Sequence, residues 1–337
     1  MNLTPEAVVE GAVRIEDDRI VGIGDVERGA NETVDARERL VLPGLIDLHG
    51  DDIESHLHPR SGARMDTHMA LASADRANVA AGITTKFHAI SFEVDPEENR
   101  SPELGAEITD AVERADDLMA DHRIHARCEV TQERCVEAVE EAEAMIEKRG
   151  GLELSTIRKR VNRVVEAAHD HGVPTASHDD EEVGEVERLH DVGVDISEYP
   201  ITLATAERAH ELGMTVTMGA PNLVRGESQW GNLRTANAIE AGVVDALVAD
   251  YHPISLLAAP FVDTGDPLPE RVARVTKHPA DAVGLSDRGR VAEGARVRGA
   301  GRYGAARPSG VESRRVPRRR PGARPVSPVY GAGPRRL

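Results

Sequence analysis

The sequence predicts an α/β protein, a TIM-like (β/α)8 barrel lacking one βα unit, with a small N-terminal β appendage. Three observations predict it. Short apolar strands alternate with helical segments over about 250 residues, the pattern of a barrel whose chemistry sits at the carboxyl ends of its strands. Those strands end again and again in histidine or a carboxylic acid. No Gly-x-Gly-x-x-Gly follows an early strand and no Walker loop is present, which disfavours the nucleotide-binding forms of an open doubly wound sheet, the rival architecture.

Residues 1–40 hold short strand-like pieces, Ala12-Val-Arg-Ile15 and Arg19-Ile-Val-Gly-Ile23, around an Asp-Asp turn. They are too few to bury a core alone and read as an appendage. The barrel, residues 41–294, starts with Val41-Leu-Pro-Gly-Leu-Ile-Asp-Leu-His-Gly-Asp-Asp52, a turn signal followed by a buried strand. A helix over 67–81 leads to a second strand over 82–90. A long amphipathic helix over 103–122 precedes a third strand over 124–130, and helices follow over 133–148 and 154–171. Four more strands are expected over 173–180, 194–199, 214–219 and 246–251, each after a helix-like run. That makes seven strands, one short of closure. The irregular place is 133–160, where two helical segments follow each other with no convincing strand between them.

Composition narrows the class. Aromatic residues are 2% of the chain, so Val, Ala, Leu and Ile must fill the core. No apolar run reaches membrane-spanning length and the first residues lack a secretory pattern, so a cytoplasmic protein is expected. Cys128 and Cys135 match no zinc or thioredoxin spacing and read as ordinary reduced thiols. Residues 295–337 carry twelve Arg and one acid, a net of +11, whereas the rest carries -29 with only four lysines in the whole chain. A lysine-poor acidic surface suits a salt-rich cytoplasm and excludes nucleic acid as a partner of the body. The Arg, Pro and Gly-rich tail has too few apolar residues to pack and is expected to be disordered, or the product of a shifted reading frame.

The strand ends present His49 and Asp51, His88, Glu129, His178 with Asp179 and Asp180, Glu198, and Asp250 followed by His252. His49 and Asp51 are two apart on an extended chain, so both can reach one ion. Imidazole with carboxylate suits zinc, manganese or iron. Each residue also has a plain structural explanation: His88 as a hydrogen-bonded wall residue, Glu198 as a turn acid, and 180–182 as a helix cap. Their joint occurrence favours a metal site for hydrolysis, in which a bound ion brings the pKa of water to ~7 and a carboxylate accepts its proton. Asp250, on the last strand, is the natural base. A second group, Met218-Gly-Ala-Pro-Asn-Leu-Val-Arg-Gly-Glu-Ser-Gln-Trp-Gly-Asn232, offers Arg225, Ser228 and Asn232 as a cradle for phosphate oxygens. Arg60 adds a further cation.

These stretches resemble the amidohydrolase superfamily and, within it, the α-D-ribose 1-methylphosphonate 5-triphosphate diphosphatases of the carbon-phosphorus lyase (phosphonate) pathway. The resemblance rests on 42–52, Gly82-Ile-Thr-Thr85, Arg127-Cys-Glu129, Ala176-Ser-His-Asp-Asp180, Met218-Gly-Ala-Pro-Asn-Leu-Val-Arg-Gly226 and Ala249-Asp-Tyr-His-Pro253. It implies hydrolysis of a small phosphorylated substrate, a 5-triphosphate, to the 5-phosphate and pyrophosphate. It implies a divalent metal, zinc first and manganese or iron otherwise, held by His49, Asp51, Glu129, His178 and Asp250. No membrane partner is expected, and a homo-oligomer is left open. Hydrolysis of an amide or cyclic amide, or a catalytically impaired relic, are the alternatives. The chain departs from the family twice. The Asp-His-Ser/Thr-Pro-Gly-Gln block expected between the third strand and Ser177 is missing, and after Ala295 the basic tail replaces an Asp-Leu-Val type strand.

Overall fold

The computed structural model describes residues 2–4, 7–26, 29–36, 39–95, 99–130, 132 and 154–297. The expected helix over 133–148 and the tail from 298 on lie outside them. β1 (Asn2–Leu3) and β2 (Val8–Val9) pair antiparallel. β3 (Ala12–Glu16) and β4 (Arg19–Gly24) form a hairpin whose turn places Asp17 at φ 54°, a conformation that Asp tolerates better than most residues. Ile20 of this hairpin packs on Val291, Ala295 and Val297, and Arg19 bridges Arg296 antiparallel. Residues 291–297 therefore help to build the appendage.

Seven parallel strands of the described residues follow. β5 (Leu45–Gly50), β6 (Ile83–Ser91) and β7 (Asp121–Arg127) form one sheet. β8 (Ala176–His178), β9 (Ile196–Glu198), β10 (Thr215–Gly219) and β11 (Ala246–Val248) form the other. The two meet where Gly50 bridges Asp250 in parallel: Asp51 N donates to Asp250 O and Asp250 N to His49 O, both at 2.9 Å. The spatial order is thus β7-β6-β5-β11-β10-β9-β8, the sequential winding of a TIM-barrel-like fold.

The strands bury both faces, as parallel strands covered by helices must. Outward-facing Leu45, Ile83 and Ile90 join Leu71 of α2 (Thr67–Ala80), Ile108 of α3 (Pro102–Arg114) and Val164 and Val165 of α4 (Leu154–Asp170) in one continuous core. Each such side chain stabilises the fold by roughly 1.5–3 kcal/mol. Gly105 lets α3 lie on Phe92, since a Cβ there would come within 2.9 Å of the ring. On the inner side, Ile46, Leu48 and Val248 pack with Phe87, Tyr199, Ala280 and Val283. Residues 274–275 accept hydrogen bonds from Leu247 and Ile46 at the amino ends of their strands.

The third strand corrects the sequence reading. It spans Asp121–Arg127 and α3 stops at Arg114, so residues 121 and 122 are strand and not helix, and the strand ends before 128–130. Their polar side chains find partners far along the chain, Asp75 for His122 and Arg288 for Asp121, so apolar periodicity could not reveal them. Within 218–232, Ala220–Arg225 forms a short helix closed by Gly226 at φ 80°.

Candidate metal centre

At the carboxyl ends of the strands, ligand atoms of His49 (β5), His178 (β8) and Glu198 (β9) lie within 4.8 Å of one another. His49 Nδ1 is 3.0 Å from Glu198 Oε2, and the His49 and His178 rings stand 5.3 Å apart. Two imidazoles and a carboxylate are a donor set that fits a divalent transition ion better than magnesium or calcium. His125 of β7 adds to the cluster. Its Nδ1 donates to Leu48 O at 2.9 Å, which leaves Nε2 facing Glu198 Oε2 at 3.7 Å. Burial holds this imidazole neutral, with a pKa of about 4 that the Glu198 charge only partly restores. A ring N–H tied to a backbone carbonyl is how proteins fix the tautomer of a metal-binding histidine.

Three residues just beyond strand ends share an uncommon backbone. Asp179, Tyr199 and Asp250 have φ of 57°, 53° and 54°. Each still extends the ladder: Asp179 N donates to Glu198 O, Tyr199 N to Thr217 O and Asp250 N to His49 O. Left-handed residues other than glycine each cost on the order of 1–3 kcal/mol and gather at functional sites.

Asp250 stands beside the cluster. Burial pushes its carboxyl up to about 6, the Asp51 charge adds to the rise, and His178 opposes it. Asp51 is a quarter exposed and lies 3.5 Å from Arg127. Glu129 is buried two residues past β7. Among the described residues, the tight three-residue cluster contains His49 and His178 of the expected ligands, and not Asp51, Glu129 or Asp250. Glu198, which a turn explains equally well in sequence, takes the third place. His125 gives no strand-end signal because it lies inside β7. The only clue was its alternation with Arg123 and Arg127.

A cleft of about 80 Å³ opens from Asp179, Tyr199 and Asp250 to Asn222, Arg225, Ser228, Trp230, Asn232 and Tyr251. Arg225 Nη1 donates to Tyr251 Oη at 2.8 Å, which aims the guanidinium across the opening. Arg225, Ser228 and Asn232 thus share one cleft. Arg60 is exposed on the turn after α1 (Ile53–Leu57) and is not among the residues lining that cleft.

A second buried polar group lies between β5, β6 and β7 and helix α2. Lys86 Nζ is 2.8 Å from both Asp47 Oδ2 and Asp52 Oδ1, with no exposure of its own. Asp47 Oδ1 in turn accepts from the backbone N–H of Ala249 at 2.8 Å and of His49 at 3.3 Å. Gly50 makes room for this lysine, since a Cβ there would sit 1.8 Å from Nζ. Beside it, His88 Nε2 meets His122 Nδ1 at 2.7 Å, and His122 Nε2 meets Asp75 at 2.9 Å. His88 is a wall residue. Burial, with the neighbouring His122, lowers its pKa to about 3 and keeps it neutral.

No family model matches the chain. The α-D-ribose 1-methylphosphonate 5-triphosphate diphosphatase of Escherichia coli (strain K12) is 31% identical, over 86% of this chain and 90% of that protein. The match runs over 341 positions yet takes up only 86% of a 337-residue chain, so the relative carries stretches with no counterpart here. Among solved structures, an amidohydrolase aligns at a TM-score of 0.60 with 16% identity, covering 87% of this chain and 88% of that one. A D-hydantoinase (dihydropyrimidinase) from Thermus sp. aligns at 0.63 with 14% identity, covering 88% and 83%. The strand order, the metal-ligand chemistry at the strand ends and the extent of these alignments agree, and the chain belongs to the amidohydrolase superfamily, as a relative of that diphosphatase.

Proposed function

We propose that the protein is a metal-dependent phosphoanhydride hydrolase that converts α-D-ribose 1-methylphosphonate 5-triphosphate to the 5-phosphate and pyrophosphate. The observation that carries this reading is the adjacency of the His49, His178 and Glu198 cluster to a cleft lined by Asp250 and Arg225. The 31% identity to the Escherichia coli diphosphatase supports the choice of substrate. Zinc is the ion proposed, held by His49, His178 and Glu198, with His125 beside them and Asp51, Glu129 and Asp250 as the further ligands that the family likeness implies. When bound, such an ion supplies Lewis-acid polarisation of a phosphoryl oxygen and acidifies the attacking water.

The residues of the chain do the rest. Asp250 accepts the water proton, since it lines the cleft just past the last strand, beside the cluster. Arg225 balances phosphate charge, and Ser228 and Asn232 hold phosphate oxygens across the cleft. The water oxygen bonds to phosphorus as the P–O–P link breaks, and pyrophosphate leaves with the bonding electron pair. We also propose that the barrel is one βα unit short between β7 and β8. The strandless pattern of 133–160 and the unmatched stretches of the relative support this. The reading takes the body to work in a cytoplasm without membrane or nucleic-acid partners. No helix of the described residues is long and apolar enough to cross a membrane.

The test is to load the purified protein with zinc and measure pyrophosphate release from the ribose 5-triphosphate against ring opening of a cyclic amide. Pyrophosphate release alone is the expected result. Amide cleavage without pyrophosphate overturns the reading, and a protein that retains no zinc, manganese or iron is a relic.

A further inference from the structure

We propose that Tyr199 is a further catalytic residue, whose phenolic hydroxyl donates a hydrogen bond to the oxygen that gathers negative charge as the phosphorus is attacked. The inference rests on the hydrolase reading above. Four features of the structure point to it.

First, Tyr199 follows Glu198 directly, and its φ of 53° is rare for a bulky side chain. The bond from its N–H to Thr217 O holds that conformation, which turns the ring inward from the end of β9. Second, the ring is seated among the metal-binding imidazoles. It stands edge-on to His49 with centroids 5.7 Å apart and 5.2 Å from His178. Third, Gly219 leaves it room, because a Cβ at that position would come within 3.1 Å of ring atom Cε1. Fourth, Tyr199 lines the cleft, yet its Oη is buried and has no hydrogen-bond partner among the described residues.

A tyrosine kept only for packing would do better as phenylalanine, which fills the same space with no hydroxyl to strand. The leftover donor is accounted for if a substrate oxygen completes it. The charged groups that face the phenol are Asp250, Glu198, Asp47 and Asp51. An ordinary phenol keeps its proton at neutral pH, so the hydroxyl is available as a donor. A fixed donor in a site shielded from water acts where charge develops, the arrangement that stabilises oxyanions. The phenol proton stays on Oη throughout, and the proton of the water goes to Asp250.

The experiment compares wild-type protein with Tyr199→Phe, both loaded with zinc. Zinc content and melting temperature are expected to be unchanged, KM to stay within about twofold, and kcat for pyrophosphate release to fall by ~10²-fold. Orthovanadate, which imitates the five-coordinate phosphorus, is titrated by calorimetry against both proteins and is expected to bind Y199F ~10-fold more weakly, while pyrophosphate binds both equally. A kcat within about threefold of wild type with unchanged vanadate affinity overturns the proposal. So does a Y199F protein that loses zinc or fold, since Oη would then be a structural group. If wild type releases no pyrophosphate, the hydrolase reading fails on its own and vanadate decides the tyrosine: weaker binding by Y199F supports it, and equal binding or none by wild type overturns it.

Discussion

The group of His49, His125, His178 and Glu198 and the group of Asp47, Asp52, Asp75, Lys86, His88 and His122 are built from nearly the same residue types. Both are largely buried, and both are built mainly from the parallel strands and their ends. They differ in what completes them. Behind the sheet, Lys86 sits between two carboxylates, and Asp75 takes two backbone N–H groups at 119 and 120 besides His122. Charge and hydrogen bonds there close on themselves. At the mouth, Glu198 faces the His49 ring at 3.0 Å and that of His125 at 3.7 Å, burial keeps His125 neutral, and the four residues come from four strands. The inner group is closed by its own lysine, whereas the mouth gathers two imidazoles and a carboxylate whose ligand atoms lie within 4.8 Å of one another, a donor set that a divalent ion would suit.

The largest expected effect separates the two groups. His178→Ala should lose bound zinc by well over ~100-fold in affinity, more than the loss of an outer partner brings, and turnover should go with it. His88→Ala should keep its zinc. Metal analysis of both variants after dialysis checks this, and equal metal loss in the two would erase the distinction.

Next comes Lys86→Met, which strands the Asp47 and Asp52 charges and should lower stability by about 3–5 kcal/mol in denaturant unfolding. Neutralising both acids in the same variant, Asp47→Asn with Asp52→Asn, should restore much of that loss. No recovery would show that the lysine acts by packing alone. Because Asp47 also holds the N–H groups of His49 and Ala249, zinc affinity should fall in K86M as well, though by less than in H178A.

A smaller effect depends on pH. The Asp250 carboxyl is raised from an ordinary 3.8 to about 6 in the folded protein, so the folded state binds the proton more tightly than the unfolded chain does. Its contribution is full below pH 4 and is lost as pH rises through 6, a decline of roughly 3 kcal/mol for the metal-free protein. Thermal melts of metal-stripped protein between pH 4 and 7 should show this decline, and Asp250→Asn should flatten it. Smallest of all, Arg225→Ala at the rim of the cleft should raise KM for the triphosphate by about 10-fold with little change in stability, since an exposed arginine adds little to the fold.

How much of this was legible in the sequence follows from the same contrast. The strands of the barrel were readable because Leu45-Ile46, Ile83, Ala176 and Ala246-Leu-Val248 are apolar runs between turn signals, and His49, His178 and Asp250 were readable because they end such runs. The start of β7 was not, because Asp121-His-Arg123 is polar and finds its partners, Asp75 and Arg288, far away along the chain. His125 was hidden inside that same strand. Glu198 was visible but ambiguous, since an acid before Tyr-Pro explains itself locally until His49 is seen 3.0 Å away. The internal lysine was silent as well, because nothing near Lys86 in sequence announces Asp47 and Asp52 as its neighbours.

The left-handed residues that leave three of the strands bear on how such a protein ages. Glycine would relax Asp179, Tyr199 and Asp250 at a stroke, and a lineage released from its chemistry would gain by accepting it. Keeping acidic or phenolic side chains at all three positions forgoes that relief and sets polar groups at the mouth instead.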